Sequence, residues 1–286
     1  MTTSADTTTP TPTAPIAATP DPRAPYRVRH ELRFRRLTVR SVEALTPHLQ
    51  RVVLEGDDLL GFVSAGFDDH VKLVFPDPST GAVVAPTMTP EGIRWPDGQK
   101  PAMRDYTPRR YDPRAGTLTI DFALHEAGPA TRWAEQARPG DVLGVGGPRG
   151  SMVVPMAFDG YLLMGDDTAL PAIARRLEEL PAGVPVVVVV EVDGPADEVA
   201  LPSPAQVQVR WLHRHGAAPG TTALLLDALA DTPMPPGDFH AWVACETGMA
   251  KRLRAALVGT HGARPAWTKA AGYWRLGSAD SHETHE

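Results

Sequence analysis

Residues 103–151 decide the architecture by the order of their pieces. The stretch opens Met103-Arg104-Asp105-Tyr106-Thr107-Pro108-Arg109-Arg110 and continues through an alternating run from Thr117 to Leu124. Gly128-Pro129-Ala130-Thr131-Arg132-Trp133-Ala134 follows, then Pro139-Gly140-Asp141 and a glycine-rich loop from Gly144 to Gly150, with Ser151 behind it. In an extended segment successive side chains point to opposite faces, so Arg104 and Tyr106 share one face. A guanidinium there can hold a pyrophosphate through a bidentate, charge-assisted contact of about 1.5–3 kcal/mol, while the phenol ring lies against a flat ring system. Thr107 adds a hydroxyl for a polyol or a ring edge, and Pro108 ends the strand by removing a backbone donor.

Working outward, the run from Thr117 to Leu124 sets Leu118, Ile120 and Phe122 on one face of a strand and delivers Asp121 and His125 to its end. Gly128-Pro129 opens a short helix predicted over Thr131–Ala137, whose free N–H groups and positive dipole end make a ready site for a phosphate. The glycine loop is not the dinucleotide fingerprint. G-x-G-x-x-G from Gly144 needs glycine at 149, where Arg149 stands, and Met152-Val153-Val154-Pro155 reads as strand rather than helix. Taken alone, the Arg-x-Tyr-Thr tetrapeptide also fits a barrel strand whose Arg and Tyr meet solvent. In this order the pieces read as a pocket for a flavin dinucleotide.

Composition narrows the setting. With 286 residues, net charge −6 and a single cysteine, the chain suits one large or two medium domains, each burying its own core. The acidic balance argues against a sequence-independent nucleic-acid binder. Cys245 alone leaves no disulfide framework, no Cys-ligated zinc and no Cys-ligated iron–sulfur cluster, so electron transfer needs a bound organic cofactor and the expected compartment is a reducing cytoplasm. Residues 1–25 are rich in Thr, Pro and Ala, without a basic start or a signal-length apolar run, and read as a disordered tail. No stretch approaches about 18 consecutive apolar residues, so no membrane span is expected.

From Tyr26 to Arg40 six arginines interleave with Val28, Leu32, Phe34, Leu37 and Val39. That alternation predicts a strand with one wet face, with a bulge at Arg35-Arg36, in preference to a nucleic-acid patch. Short strands at Arg51–Leu54 and Val71–Phe75 extend the pattern to Val154, as in an antiparallel barrel. Pro155–Gly160 reads as a hinge. Beyond it strands alternate with helices: Tyr161–Met164, helix Leu170–Leu180, the apolar run Val184–Val192, Val207–Leu212, helix Thr222–Ala230, Phe239–Ala244 and helix Thr247–Val258. The fold class expected is therefore α+β in two domains, an N-terminal antiparallel flavin-binding β-barrel over 26–156 and a nucleotide-binding-like α/β open parallel sheet over 157–278. Residues 279–286 form a frayed end. Its His282-Glu283-Thr284-His285 mimics a zinc motif, but the histidines are three apart, and no metal is assigned.

Open parallel sheets bind ligands beyond the carboxyl ends of their strands, here Gly165–Thr168 and Ala244–Met249. Asp166 and Thr168 suit a nicotinamide or ribose hydroxyl better than a pyrophosphate, which a carboxylate repels, and Asp166-Asp167-Thr168 equally fits a helix cap. Trp267–Gly277 offers Trp274 and Arg275 after the last helix, for stacking on a flavin or facing an anion, or simply for surface packing.

Several blocks together resemble the siderophore-interacting protein family, the flavin-dependent ferric-siderophore reductases of the wider ferredoxin-reductase superfamily. They are Asp69–Pro76, Arg104–Arg109, Asp121-Phe122 with Leu124-His125, Gly128–Ala130, Trp133-Ala134, Gly147–Ser151, Gly165-Asp166 with Thr168–Ile173, Ala241–Ala244 with Glu246, and Lys269-Ala270 with Gly272–Arg275. The match spans about Arg27 to Gly277. It implies FAD as cofactor, NAD(P)H as electron donor or a ferredoxin in its place, and an anionic ferric siderophore as acceptor. Cofactor-binding residues implied on the barrel are Arg104, Tyr106, Thr107, Asp121, His125, Gly128, Ala130, Trp133, Gly150 and Ser151. On the sheet they are Asp166, Thr168, Glu246 and Trp274. Lys72, Arg149 and Arg275 are nominated for the substrate, Arg149 having FAD phosphate as its other possible partner. Ala244–Met249 departs from the superfamily's Cys-Gly-Pro-x-x-Met turn, which puts the usual nicotinamide placement in question. Two other functions share parts of this pattern, an NAD(P)H:flavin electron-transfer enzyme with a quinone or protein acceptor and a cytoplasmic carrier that holds a ferric chelate without reducing it. A 2′-phosphate on the donor would need a cation from among Arg175, Arg210 and Arg214.

Overall fold

The structure, a computed structural model, describes residues 21–89, 92–98, 100–124, 128–277 and 283–285. Its first half is built from strands β1 (Tyr26–Arg29), β2 (Phe34–Thr46), β3 (Leu49–Glu55), β4 (Val71–Val74), β5 (Thr87–Thr89), β6 (Gly92–Arg94), β7 (Met103–Tyr106), β8 (Arg110–Asp112) and β9 (Thr117–Ala123). Helix α1 (Pro129–Gln136) and strands β10 (Val142–Gly146) and β11 (Gly150–Val153) complete it. Seven of these strands form one antiparallel sheet in the order β7-β4-β10-β2-β3-β9-β8, with β1-β11 and β5-β6 as separate ribbons. The sheet curls into a half-barrel. Its open side is closed by side chains, with the Tyr106 ring 4.5 Å from Phe122 and Trp133 of α1 seated on Phe122 and Phe75 at 5.6 and 5.8 Å.

Alternation along β2 buries Arg35, Leu37 and Val39 and exposes Arg36 and Arg40. The expected bulge at Arg35-Arg36 is absent. Pairing with β10 runs unbroken from Phe34 to Thr38, and the register against β3 shifts instead between Val39 and Ser41 and between Ala44 and Thr46. Arg35 can face inward because its donors are satisfied, to Gly147 O at 2.8 Å and Asp58 O at 3.1 Å, with its guanidinium 5.0 Å from the Phe62 ring.

The second half holds β12 (Gly160–Asp166), α2 (Leu170–Glu179), β13 (Pro185–Val192), β14 (Gln206–His213), α3 (Leu224–Asp231), β15 (Phe239–Glu246), α4 (Thr247–Gly259), β16 (Thr268–Trp274) and β17 (Glu283–His285). The order is β14-β13-β12-β15-β16-β17, parallel except for the last pair. All of β12 is buried, as a strand covered by helices on both faces must be. The terminal aromatic segment is itself a sheet strand, β16, with Ala270 and Ala271 in the core. Glu283–His285, assigned to a frayed end by sequence, pairs with Ala270–Gly272. Arg23, assigned to the tail, ion-pairs with Asp238 at 3.3 Å and lies over Trp267. Residues 1–20, His125 and His282 lie outside the described residues.

One loop joins the halves. Phe67 is buried among α/β residues, 5.3 Å from the Trp242 ring and beneath the Arg176 guanidinium. Asp68, next in the chain, takes Lys269 Nζ at 2.5 Å and Trp242 Nε1 at 2.9 Å. Asp69 turns back into the half-barrel and accepts from Ser64 Oγ, Gly66 N and Ser151 Oγ. Around this staple Arg109 donates twice to Glu178, and Arg175 donates to Ser64 and Pro108.

Burial drives the Asp68 carboxyl upward, but the Lys269 ammonium and the hydrogen bonds from Lys269 and Trp242 reverse this, so its pKa lies below the ordinary value. A depressed carboxylate stabilises the fold above its unfolded pKa, about 3.9, and that contribution is lost as pH falls through the lower folded value. Asp68→Ala is expected to cost about 3 kcal/mol in urea unfolding at pH 7, the low end for a broken buried pair, because Lys269 keeps 27% exposure. Asp68→Asn should also lose the wild type's decline in stability below pH 4. Unchanged urea midpoints for both variants would contradict this.

Candidate functional site

The register of β4 with β7 sets Tyr106 opposite Val71 and Arg104 opposite Leu73, and both partners are buried in the half-barrel. Arg104 and Tyr106 therefore share the inner face, as the alternation predicts, while Lys72 and Asp105 share the outer one. Burial pushes the Tyr106 phenol well up, so its ring remains neutral at any working pH. One guanidinium nitrogen of Arg104 donates to Met103 O at 2.6 Å, and the rest of the fork makes no bond to the protein among the described residues.

Helix α1 begins at an extended Gly128, with Pro129 at its first turn, no side-chain cap and no acid in that turn. Its orphan N–H groups and positive end await an anion. An unfilled guanidinium fork, a neutral phenol ring and an uncapped helix start are the donors a flavin dinucleotide requires, one for each chemically distinct part, and they fit it.

Other candidates on the half-barrel have different work. Asp121 is buried in a bidentate pair with Arg51, both bonds 2.7 Å, and Arg109 lies 3.9 Å away. Trp133 fills the barrel's open side. A Cβ at Gly150 would meet Val28 O at 2.6 Å, so glycine there permits the β1-β11 pairing. Ser151 Oγ donates to Asp69 at 2.5 Å and lies 2.9 Å from Ala65 N and 2.7 Å from His30 Nε2. With its proton on Asp69 it accepts from the other two, which places a proton on His30 Nε2 and leaves the hydroxyl saturated. Thr107 is buried against the Tyr273 hydroxyl of β16. Asp121, Ser151 and Thr107 are thus bonded within the protein, Trp133 packs on the barrel, and Gly150 permits the β1-β11 pairing.

The sheet candidates converge. β13 and β15 leave β12 on opposite sides, so the topological switch point lies at Asp166. Asp166 accepts from Thr168 N and Oγ1 on one oxygen and from Trp274 Nε1 at 2.8 Å on the other. Glu246, at the end of β15, accepts from Gly248 N, Met249 N and Leu276 N, which caps α4 and ties down the segment after Trp274. Burial, then the neighbouring Asp167 charge, pushes the Asp166 carboxyl up to about 7. Asp167 and Glu191 hold Arg214 between them at 2.9 and 3.8 Å. Arg210 donates to Ala228 O and Arg175 spans the domain seam, so the three arginines considered for a 2′-phosphate are all engaged within the protein. Burial raises the Cys245 thiol well above its ordinary range, which makes it a packing residue.

Two family models match, a siderophore-interacting FAD-binding domain over residues 38–152 and siderophore-interacting protein over residues 158–277. The NADPH-dependent ferric-chelate reductase of Escherichia coli is 42% identical over 257 residues, covering 88% of this chain and 97% of that protein. The chain belongs to the siderophore-interacting protein family. The ferric vibriobactin reductase ViuB of Vibrio cholerae is 32% identical over 238 residues, covering 82% and 86%. The crystal structure of a siderophore utilization protein from T. fusca superposes with a TM-score of 0.84 at 44% identity, covering 89% of this chain and 97% of that one.

Family membership makes FAD the cofactor of the half-barrel, consistent with Arg104, Tyr106 and the start of α1. The nominated cations stand on both domains. Lys72 pairs with Asp105 at 2.9 Å, Arg149 is exposed beyond the cis Gly147-Pro148 bond, and Arg275 is exposed just past Trp274. Sequence reasoning missed Asp68, Lys269, Arg51 and Arg109, which hold the two domains and the barrel end in place. Arg51 and Lys269 are charges inside otherwise apolar strands, whereas Asp68 and Arg109 lie in loops and carry no local signal.

Arg104→Ala is expected to weaken FAD binding to the apoprotein about 10–100-fold, the worth of a charge-assisted contact of about 1.5–3 kcal/mol, measured by quenching of flavin fluorescence. Ser151→Ala should lower the melting temperature and leave FAD affinity within about twofold, since its hydroxyl faces only protein. The reverse ranking would return Ser151 to the cofactor.

Proposed function

We propose that this protein is an FAD-dependent reductase that passes electrons from NAD(P)H to ferric siderophores and releases Fe(II) in the cytoplasm. The carrying observation is that one chain holds a half-barrel with Arg104 and Tyr106 on its inner face and an uncapped start to α1, and a parallel sheet whose switch point gathers Asp166, Thr168, Glu246 and Trp274. The ferric-chelate and ferric vibriobactin reductase activities for which the E. coli and V. cholerae relatives are named support the acceptor class. A nicotinamide gives up two electrons as hydride and Fe(III) takes one, and flavin supplies the conversion between them.

The residues then have distinct tasks. Arg104 and the α1 N–H groups hold the pyrophosphate, and Tyr106 offers a flat, uncharged wall. Thr168 and the Asp166 carboxyl, whose pKa burial and the Asp167 charge raise, offer hydrogen-bonding groups at the donor end and no phosphate cradle. Arg149 and Arg275, exposed and on different domains, draw in the anionic chelate. Lys72 reaches it only by leaving Asp105. Reduction weakens the hold of hard oxygen donors on iron, so no protein acid or nucleophile is needed for release. A ferredoxin in place of NAD(P)H uses the same flavin site. No helix of the described residues is long and apolar enough to cross a membrane.

The test is an anaerobic visible spectrum of the purified protein. Flavin absorbance should bleach on NADPH addition and return on addition of a ferric siderophore, with Fe(II) trapped by a chromogenic chelator. Arg149→Glu and Arg275→Glu are each expected to raise the KM for the ferric siderophore roughly tenfold, about 1.4 kcal/mol, with a smaller rise for Lys72→Glu. Bleaching that reverses with a quinone and not with ferric chelates would overturn the acceptor, and a colourless protein that takes up no FAD would overturn the whole reading.

A further inference from the structure

The turn between β2 and β3 carries His48 across the domain seam to the loop that follows β13. There His48 Nδ1 lies 3.0 Å from both carboxylate oxygens of Asp197, and the His48 backbone N–H donates to the same carboxylate at 3.2 Å. Asp193 stands beside them, with one ligand atom from each of the three residues within 4.8 Å of the others. Asp197 is buried, Asp193 half-buried and His48 exposed, so the group is anchored at its base and open to solvent at the imidazole. The hydrogen bond from His48 accounts for Asp197. It does not account for Asp193, whose carboxylate is held by Gly216 N at 3.1 Å and yet drawn toward a second carboxylate. Two converging carboxylates repel one another unless positive charge stands between them.

We propose that His48, Asp193 and Asp197 form a binding site for a divalent first-row transition ion that bridges the two domains. One imidazole nitrogen with carboxylate oxygens suits Mn²⁺, Fe²⁺ or Zn²⁺ better than Ca²⁺ or Mg²⁺, which favour oxygen alone. Bonds of about 2.1 Å at right angles place neighbouring ligand atoms about 3.0 Å apart, which is the spacing of His48 Nδ1 from the Asp197 oxygens. The ion takes the place of the proton between them, and the imidazole keeps its N–H on Nε2 and presents the Nδ1 lone pair. The ligands come from distant parts of the chain, so no spacing motif marks them. On the ferric-reductase reading the ion at hand is the Fe(II) that reduction liberates. That identity rests on the reading, whereas the site rests on its own geometry.

The test uses the full-length, flavin-loaded protein with Mn²⁺ as probe, without nucleotide or siderophore, read by the electron paramagnetic resonance signal of free Mn²⁺ and by calorimetry. One saturable Mn²⁺ per chain is expected, weakened at least tenfold in His48→Ala and in Asp193→Asn and displaced by Fe²⁺ under anaerobic conditions. Metal-free Asp193→Asn should melt within about 2 °C of wild type, which separates lost ligation from lost folding. No saturable binding in the wild type, or equal binding in the wild type and both variants, overturns the site. Binding at these residues in a protein that reduces no ferric chelate would sustain the site and remove Fe(II) as its occupant.

Discussion

The carboxylate of Asp68 is the constraint on which the two-domain arrangement depends. A single charge taken fully out of water costs several kcal/mol unless paired and hydrogen-bonded. Here both partners, Lys269 and Trp242, come from the other domain. The half-barrel therefore cannot satisfy its own Asp68. Separating the domains would leave that carboxylate without either partner and would expose Phe67, so the cheapest state is the one in which the flavin wall and the switch point of the parallel sheet are held in fixed relation. Apolar contact at the seam adds area. The charge adds direction, because only one placement of β15 and β16 answers it.

Within that frame the site divides by chemistry. The half-barrel side offers cationic and N–H donors for phosphate. The sheet side offers three buried acids, Asp166, Asp167 and Glu191, near Arg214, with Asp166 bonded to Trp274. Such a surface suits a polar, uncharged group more than a phosphate, and Glu246 at the end of β15 is taken up in capping α4.

Much of this was legible in the sequence because periodicity reports burial. The alternation in β2 and β9, the apolar run in β13 and the shared face of Arg104 and Tyr106 all follow from side-chain direction alone. Failures came where residue type and position point different ways. Arg35 breaks a hydrophobic pattern, yet two carbonyls and a phenyl ring make it a core residue. Ser151, Asp121 and Trp133 also make contacts that their types do not announce, to His30 and Asp69, to Arg51, and to Phe122. β16 escaped notice because its centre, Ala270-Ala271-Gly272, lacks the branched residues of a strand. Small residues are needed there, since a Cβ on Gly272 would collide with Thr247 of α4. The pairs that join the domains are sequence-distant and carry no local signal.

One feature of β16 reaches beyond the folded state. Within seven residues this strand supplies Lys269 to Asp68, Tyr273 to Thr107 and Trp274 to Asp166. It therefore ties together the seam, the residue that follows β7 and the switch point of the parallel sheet. During synthesis the half-barrel emerges whole while the partners of its buried acid are still unmade. A chain without β16 would lose the partners of Asp68, Thr107 and Asp166 together, so one strand completes both the seam and the switch point of the sheet.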